Sequence, residues 1–360
     1  MANQAVTSNL QRIKFRNDFF REYVRTNRLA PYTGEGVTNP IVIKMDSAPT
    51  VRHPLLTRLK GSGVSGSDTL RGKGESIGNY SWDTNPTYYR HSVETDKEET
   101  EKTEIALLRE ARPLLMEWAQ SATRDRQIQA MGAIYNGTTY SNYVDAAEAA
   151  KDAWQVTNAD RVIYGANITL TGDDSAELGG VDSTNDKLNS IRVSDLRRKA
   201  EDADPHIRPI QTDQEGEVYV LFAGSIAFRD LKANLQTINS NADLRGMNIT
   251  SGSNILGRDG DMFWDGVIIR KVPEITAHFT ATGKPLATAG ASSIKVEPVF
   301  LCGAQALVHG MSQKPKLIPD FDFDFKFQPA VAVELKEDVK KAFFNSFQHG
   351  MVTGYFSGAA

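Results

Sequence analysis

The chain has a single cysteine, Cys302, in 360 residues. One thiol excludes an intramolecular disulfide framework and suits a reducing compartment. Its flanks, Phe300-Leu301 and Gly303-Ala304, are apolar or small, so a buried, inert thiol is expected. Long apolar runs are missing: no window approaches about 18 consecutive apolar residues, so nothing is expected to span a membrane. No apolar stretch follows the charges of the N-terminus, and no signal peptide is expected. Excess charge of one sign is missing as well. The formal net charge is −4, which argues against nucleic acid as the ligand of the whole surface. Apolar, aromatic and charged content are those of a soluble globular protein, and the length holds two ordinary domains or one core with large insertions.

Catalytic signatures are also scarce. Gly61-Ser62-Gly63-Val64-Ser65-Gly66 fits the letter of G-x-G-x-x-G, but a dinucleotide site needs that loop between a strand and a helix that receives the pyrophosphate. Here more loop follows. Gly72-Lys73 lacks the earlier glycine and the following hydroxyl residue of a P-loop. His53, His91, His206, His278, His309 and His349 are scattered, with no pair at metal-ligand spacing. Asp320, Asp322 and Asp324 would share one strand face, which reads as a solvated face before a cation site. Asp259-Gly260-Asp261 opens like a calcium loop, but Phe263 stands where the third ligand belongs. No catalytic residue, cofactor or metal is expected.

What is present is organised around residues 55–135. A glycine-rich arm runs from Leu55 through Gly61–Gly66 and Leu70-Arg71-Gly72-Lys73-Gly74-Glu75 to Tyr80, Trp82, Tyr88 and Tyr89. It has too few apolar residues to build a core, so an ordered arm needs a surface outside its own domain. From Glu94 to Glu104 nearly every residue is charged or Thr. Ile105, Leu108, Leu115 and Ala119 then recur at helical spacing and form one apolar stripe. Pro113 lacks an N–H, which predicts two helical pieces, about 95–112 and 113–130.

Residues 1–40 carry Arg12, Lys14, Arg16, Arg21, Arg25 and Arg28 beside Leu10, Ile13, Phe19, Phe20, Tyr23 and Val24, a basic amphipathic segment. Strands are expected at 41–45, 161–165, 217–222, 266–270, 299–302 and 351–356. Helices are expected at 145–153, from a cap at Ser194 to Pro205, and at 226–235. Residues 171–186 read as an exposed polar loop. Asp320–Phe327 alternates acidic or basic residues with phenylalanine and predicts a half-buried strand. Interleaved helices and strands with long connections give an α+β class.

In this order, Leu59–Gly66, Leu70–Glu75, Tyr89-Arg90-His91, Trp118, Asp125-Arg126, Ile207-Arg208-Pro209-Ile210, Tyr219-Val220-Leu221, Asp230-Leu231-Lys232, Trp264–Arg270 and Phe300–Leu307 resemble the major capsid proteins of tailed bacteriophages. The similar branch is the podophage type, and the fold is the Johnson fold. Arg71–Glu75 departs from the more acidic, Asn-containing version usual in the family. The resemblance implies an N-arm at 1–40 and an extended β-hairpin E-loop at 53–92. It implies a peripheral domain from 41–52, 93–140 and 311–345, with a spine helix at about 95–130. An axial domain would take 141–310 and 346–360. It further implies self-assembly as pentamers and hexamers into an icosahedral shell around double-stranded DNA. Scaffolding protein, portal and a decoration protein would be partners, with no membrane. The subunit would sit in the host cytoplasm before assembly and in the virion after it.

Two expectations about residues follow. Lys60, Arg71 and Lys73 on the arm would face the acidic helix start of a neighbour, where Glu94, Asp96, Glu98, Glu99 and Glu101 outnumber the lysines. Arg12, Lys14, Arg16, Arg21 and Arg25 would face the genome or a scaffold. An encapsulin-like compartment shell is the alternative within the fold, and a nucleotide-dependent oxidoreductase the alternative outside it.

Overall fold

The computed structural model describes residues 22–34, 41–46, 50–98, 107–166, 168–212, 216–243, 262–322, 324 and 327–359. The chain opens with β1 (Thr33–Gly34), β2 (Val42–Asp46), β3 (Val51–Leu56), β4 (Asn79–Thr84) and β5 (Thr87–Glu94), then the long helix α1 (Leu107–Met131). There follow β6 (Ala133–Tyr135), β7 (Tyr140–Asn142), α2 (Glu148–Thr157), β8 (Val162–Tyr164), α3 (Asp174–Gly180) and α4 (Ser190–Asp202). Next come β9 (Ile210–Thr212), β10 (Gly216–Ala223), α5 (Ser225–Asp243), β11 (Met262–Trp264), β12 (Val267–Lys271) and β13 (Val296–Cys302). The chain ends with β14 (Leu307–Asp320), β15 (Ala330–Lys341), β16 (Phe343–Phe344), β17 (Phe347–Gln348) and β18 (Met351–Ser357). Two compact units result. The smaller includes Tyr88–Ala122 and Gln313–Lys336, and the larger Arg28–Thr87, Thr123–Ser312 and Glu337–Ala360.

The larger unit is built on a mixed sheet of order β11-β12-β10-β13-β18-β8, with β9 beside β10. Its central strands are apolar at nearly every position because both faces are covered. Val220 and Phe222 of β10, Phe300 and Cys302 of β13, and Met351 and Tyr355 of β18 belong to one core cluster. Their neighbours Tyr219 and Leu221, Val299 and Leu301, and Val352 and Phe356 belong to the other, with Val193 and Leu196 of α4 and Phe228 and Leu231 of α5. The period-two geometry of a strand sends alternate residues to opposite faces. Cys302 is fully buried, as expected, and burial pushes its thiol well up.

Buried carboxylates start two of the helices. Glu297 on β13 is inaccessible to solvent and accepts the N–H groups of Ile226 (3.1 Å) and Ala227 (2.6 Å), meeting orphan donors of α5. A Cβ on Gly224 would lie 2.2 Å from the Glu297 carboxylate, so that position requires glycine. Asp174 in the first turn of α3 accepts the hydroxyls of Tyr143 and Tyr164. Its burial outweighs those bonds and raises its carboxyl to about 6.

In the smaller unit, Leu115 and Ala119 of α1 pack on Val331, Val333 and Leu335 of β15, with Leu108 and Trp118 at the edge. Leu108, Leu115 and Ala119 are the expected stripe; Ile105 lies outside the described residues. Strand β15 buries every second side chain along its whole length. In the larger unit that same face carries Glu337, Val339 and Lys341. Glu337 is fully buried and accepts from Thr123 Oγ1 (2.9 Å), Arg126 Nε (2.7 Å) and His309 Nε2 (2.9 Å). Burial pushes its carboxyl up, but His309 and Arg126 outweigh burial and hold it below the usual range. Lys341 donates to the Ala133 carbonyl at 3.1 Å, and burial lowers its amine to about 7.

Several expectations are corrected. Helix α1 runs through Pro113 without a break over Leu107–Met131. One lost N–H is outweighed by apolar packing beyond it. Among the described residues the strand expected at 320–327 does not continue past Asp320, where β14 ends; Phe321 and Phe327 are about half exposed and Asp324 has positive φ. Phe323, Phe325 and Lys326 lie outside the described residues. The polar loop at 171–186 contains α3 and buries Asp174, Glu177 and Leu178, because its carboxylates are consumed by hydrogen bonds. Helix α4 starts at Ser190 under Asn189, whose side chain accepts Arg192 N–H at 3.0 Å, so Ser194 is an interior residue and not the cap. Residues 22–27 form no helix, and the rest of the expected basic helix lies outside the described residues.

Removing Glu337 takes away the buried carboxylate that Thr123, Arg126 and His309 all meet. Glu337→Ala is expected to destabilise the unassembled chain by ~3–5 kcal/mol in urea unfolding; a loss no larger than that of a surface Ala substitution would contradict the network. Lys341 has a folded value near 7 against an ordinary 10.5. The unfolded chain therefore binds the extra proton between those values, and stability from this residue rises as pH increases across that window. Lys341→Met should flatten the rise in unfolding free energy over that range, which urea titrations at graded pH measure.

Candidate assembly surface

The arm is a two-stranded ribbon with no interior. Strands β3 and β4 pair antiparallel from Val51↔Thr84 to Leu56↔Asn79. The base is fixed by polar contacts: Arg52 makes a bidentate pair with Asp83 (2.8 and 2.9 Å), and His53 Nε2 meets Thr84 Oγ1 at 2.9 Å. Burial lowers the His53 imidazole, the nearby Asp83 charge notwithstanding. Asp338 accepts the Asn85 N–H at 2.8 Å, tying the end of the ribbon to β15. Beyond Thr57 the chain leaves the ladder but stays ordered. Glu75 accepts the N–H groups of Lys60 (2.8 Å) and Gly61 (2.7 Å), and those bonds hold its carboxyl below the usual range. At the tip, Lys73 N–H reaches Leu70 O at 3.0 Å, with Gly72 at φ +87°. That positive φ at the third turn position is the reason for glycine there.

Four of the arm's apolar side chains are mostly exposed. Leu56, Leu59, Leu70 and Ile77 are 69, 61, 66 and 63 % exposed. Single exposed apolar side chains are ordinary, whereas four within one arm that has no core mark a candidate contact surface.

The residues expected to carry charge between subunits fall into three groups. Lys60 pairs within its own chain, Nζ to Asp204 Oδ2 at 2.7 Å, beside Arg58 on the other oxygen of Asp204 at 3.1 Å. Lys73 pairs locally with Asp68 at 3.1 Å, and Arg71 is exposed next to it at the tip. Glu94 ends β5 and is exposed, Asp96 is half-buried and Glu98 exposed, held by Thr95 N–H to Pro329 O (3.2 Å) and Lys97 N–H to Phe327 O (3.1 Å). Glu99 and Glu101 lie outside the described residues, as do Arg12, Lys14, Arg16 and Arg21. Arg25 is described and exposed.

The Gly61–Gly66 loop is followed by no helix and stands in the arm, so it does not have the strand–loop–helix setting a dinucleotide needs. Glu148, Asp152 and Asp173 bring carboxylate oxygens within 4.8 Å of one another. Protein donors already meet them: Lys151 on Glu148, Asp174 N–H on Asp152, and Ala176 N–H with Ser175 Oγ on Asp173. The buried charges Glu337, Lys341 and Arg161 were not singled out from sequence. Strict alternation in β15 is the signal that would have placed the first two on an inward face.

A family model described as phage capsid protein matches residues 3–353. No curated protein matches the chain. The solved capsid chain of cyanophage Pam1 is similar at 33 % identity and a TM-score of 0.89, with all of both chains covered. The capsid of Ralstonia phage GP4 shares the fold at 15 % identity and TM-score 0.71, covering 99 % of this chain and 98 % of that one. The capsid of Helicobacter pylori bacteriophage KHP30 does so at 14 % identity and TM-score 0.63, covering 97 % and 96 %. A coreless arm on a doubly covered sheet, matched over its whole length by a capsid chain, fixes the class: the protein belongs to the phage capsid protein family, as a major capsid shell protein with the Johnson fold.

Proposed function

We propose that this chain assembles as pentamers and hexamers into an icosahedral shell around double-stranded DNA, each arm lying across a neighbouring copy. The exposed apolar side chains of the arm, Leu56, Leu59, Leu70 and Ile77, carry this reading. Covering apolar surface gains about 25 cal/mol per Å², and a second copy is the surface available at every position of a shell. In this reading 1–40 is the N-arm, 53–92 the E-loop, 41–52 with 93–140 and 311–345 the peripheral domain, and 141–310 with 346–360 the axial domain.

Charge adds selectivity. Arg71 and Lys73 at the arm tip face the acidic segment Glu94, Asp96, Glu98, Glu99 and Glu101 of the neighbour. Lys60, held by Asp204 at the arm's root, sets the arm's start and contributes through the same cationic surface. Each exposed pair contributes at most about 1 kcal/mol, but the contact repeats around the shell. The basic residues Arg12, Lys14, Arg16, Arg21 and Arg25 meet DNA phosphates or a scaffolding protein, without sequence preference and with strong salt dependence. Portal and decoration proteins complete the particle, which forms in the host cytoplasm. The chain carries no catalytic role in this reading.

Electron microscopy of the purified chain, alone and with a scaffolding protein, tests the proposal. Closed shells or rings of five and six are expected; a small oligomer that never closes in any salt would overturn it. Arg71→Glu with Lys73→Glu should cut the yield of closed shells severalfold, with unchanged circular dichroism and melting of the unassembled chain. Full assembly of this variant would remove the charge pairing and leave the shell.

A further inference from the structure

Beside the root of the arm lies a cleft of about 640 Å³ whose chemistry the capsid role does not use. Three rigid walls form it. One is the arm root from Leu55 to Lys60 with Tyr80. The second is the turn from Asp204 to Arg208. The third is the tight hairpin β16–β17, whose loop residues Asn345 and Ser346 both have positive φ, as a two-residue primed turn demands.

The lining is unbalanced in charge. Arg58, Lys60, Arg161 and Arg208 face it against the one carboxylate Asp204, which Arg58 and Lys60 already share. Arg161 is the decisive member. Its side chain is wholly buried, with the guanidinium 5.4 Å from the Phe347 ring. Nη2 donates to Pro205 O at 2.6 Å and lies 3.7 Å from Asp160, whereas Nε and Nη1 are buried with no hydrogen-bond partner among the described residues. A buried guanidinium left with unmet donors costs far more than an exposed one, and a carboxylate or phosphate oxyanion is the group its planar fork matches. The field is felt nearby: burial, and then the charges of Arg161 and Arg208, lower the His349 imidazole to about 4, so His349 is neutral at pH 7.

We propose that this cleft is an oxyanion site, taking a phosphate or carboxylate group between Arg161, Arg208 and the cationic root of the arm. Leu55, Tyr80 and Phe344 supply an apolar side that excludes water and strengthens the contact. Because one wall belongs to the arm and the others to the body, the bound group ties the arm's root to the sheet. The site is independent of shell closure and is measured on the unassembled chain.

The test is titration of the full chain with inorganic phosphate at constant ionic strength, followed by calorimetry and by phosphorus NMR line width. Saturable binding of one phosphate per chain is expected. Arg208→Ala, at an exposed position, should weaken it about tenfold, the size of one lost charge-assisted hydrogen bond. Arg161→Met, which keeps the volume, should abolish it, while Arg198→Ala, an exposed arginine outside the cleft, should leave it unchanged. Competition with glutarate separates the sources: displacement admits a protein carboxylate as the natural ligand, resistance restricts it to phosphate, and both support the site. Absence of saturable binding, or equal loss in Arg208→Ala and Arg198→Ala, would overturn it.

Discussion

Leu56, Leu59, Leu70 and Ile77 are mostly exposed in the single chain, and covering them is favourable. That constraint organises the molecule. A two-stranded ribbon is marginal alone, yet this one is held at its base by Arg52 with Asp83 and just beyond the ladder by Glu75 on two backbone N–H groups. The protein orders an arm it cannot bury. Order without a core lowers the conformational cost of later contact, since little freedom remains to be lost when a partner arrives.

The larger unit holds both the ribbon and the main sheet. Its sheet is covered on both faces, so its interior needs no partner. The charges kept inside are tied to specific partners: Glu297 to the start of α5, Glu337 to Arg126 and His309, Asp174 to two tyrosines. Each needs its partners to fold, so each fixes how two segments distant in sequence meet. Subunits that must fit many neighbours benefit from one defined conformation.

Much of this was legible in the residues. The continuous apolar runs of 217–222, 299–302 and 351–356 marked the buried sheet, and the stripe Leu108, Leu115, Ala119 marked the packed face of α1. Glycine density with little apolar content marked the arm as a segment without a core. What misled was local pattern without tertiary context. Asp320–Phe327 alternates like a strand, but among the described residues the strand ends at Asp320; Thr171–Asp186 looks like an exposed loop, but its carboxylates are spent internally. Pro113 looked like a break, but packing on both sides carries the helix through. The pairing of Lys60 with Asp204 joins residues far apart in sequence, which no spacing rule brings together. The buried Arg161 gave no local signal at all.

The central claim is that the arm is covered by another copy. Amide hydrogen exchange of residues 57–78, compared between the unassembled chain and the closed shell, tests it most directly. Few ladder bonds protect that segment in the single chain, so rapid exchange is expected there and slowing by two or more orders of magnitude in the shell. Equal exchange in both states would mean that the arm projects into solvent after assembly, and would contradict the account.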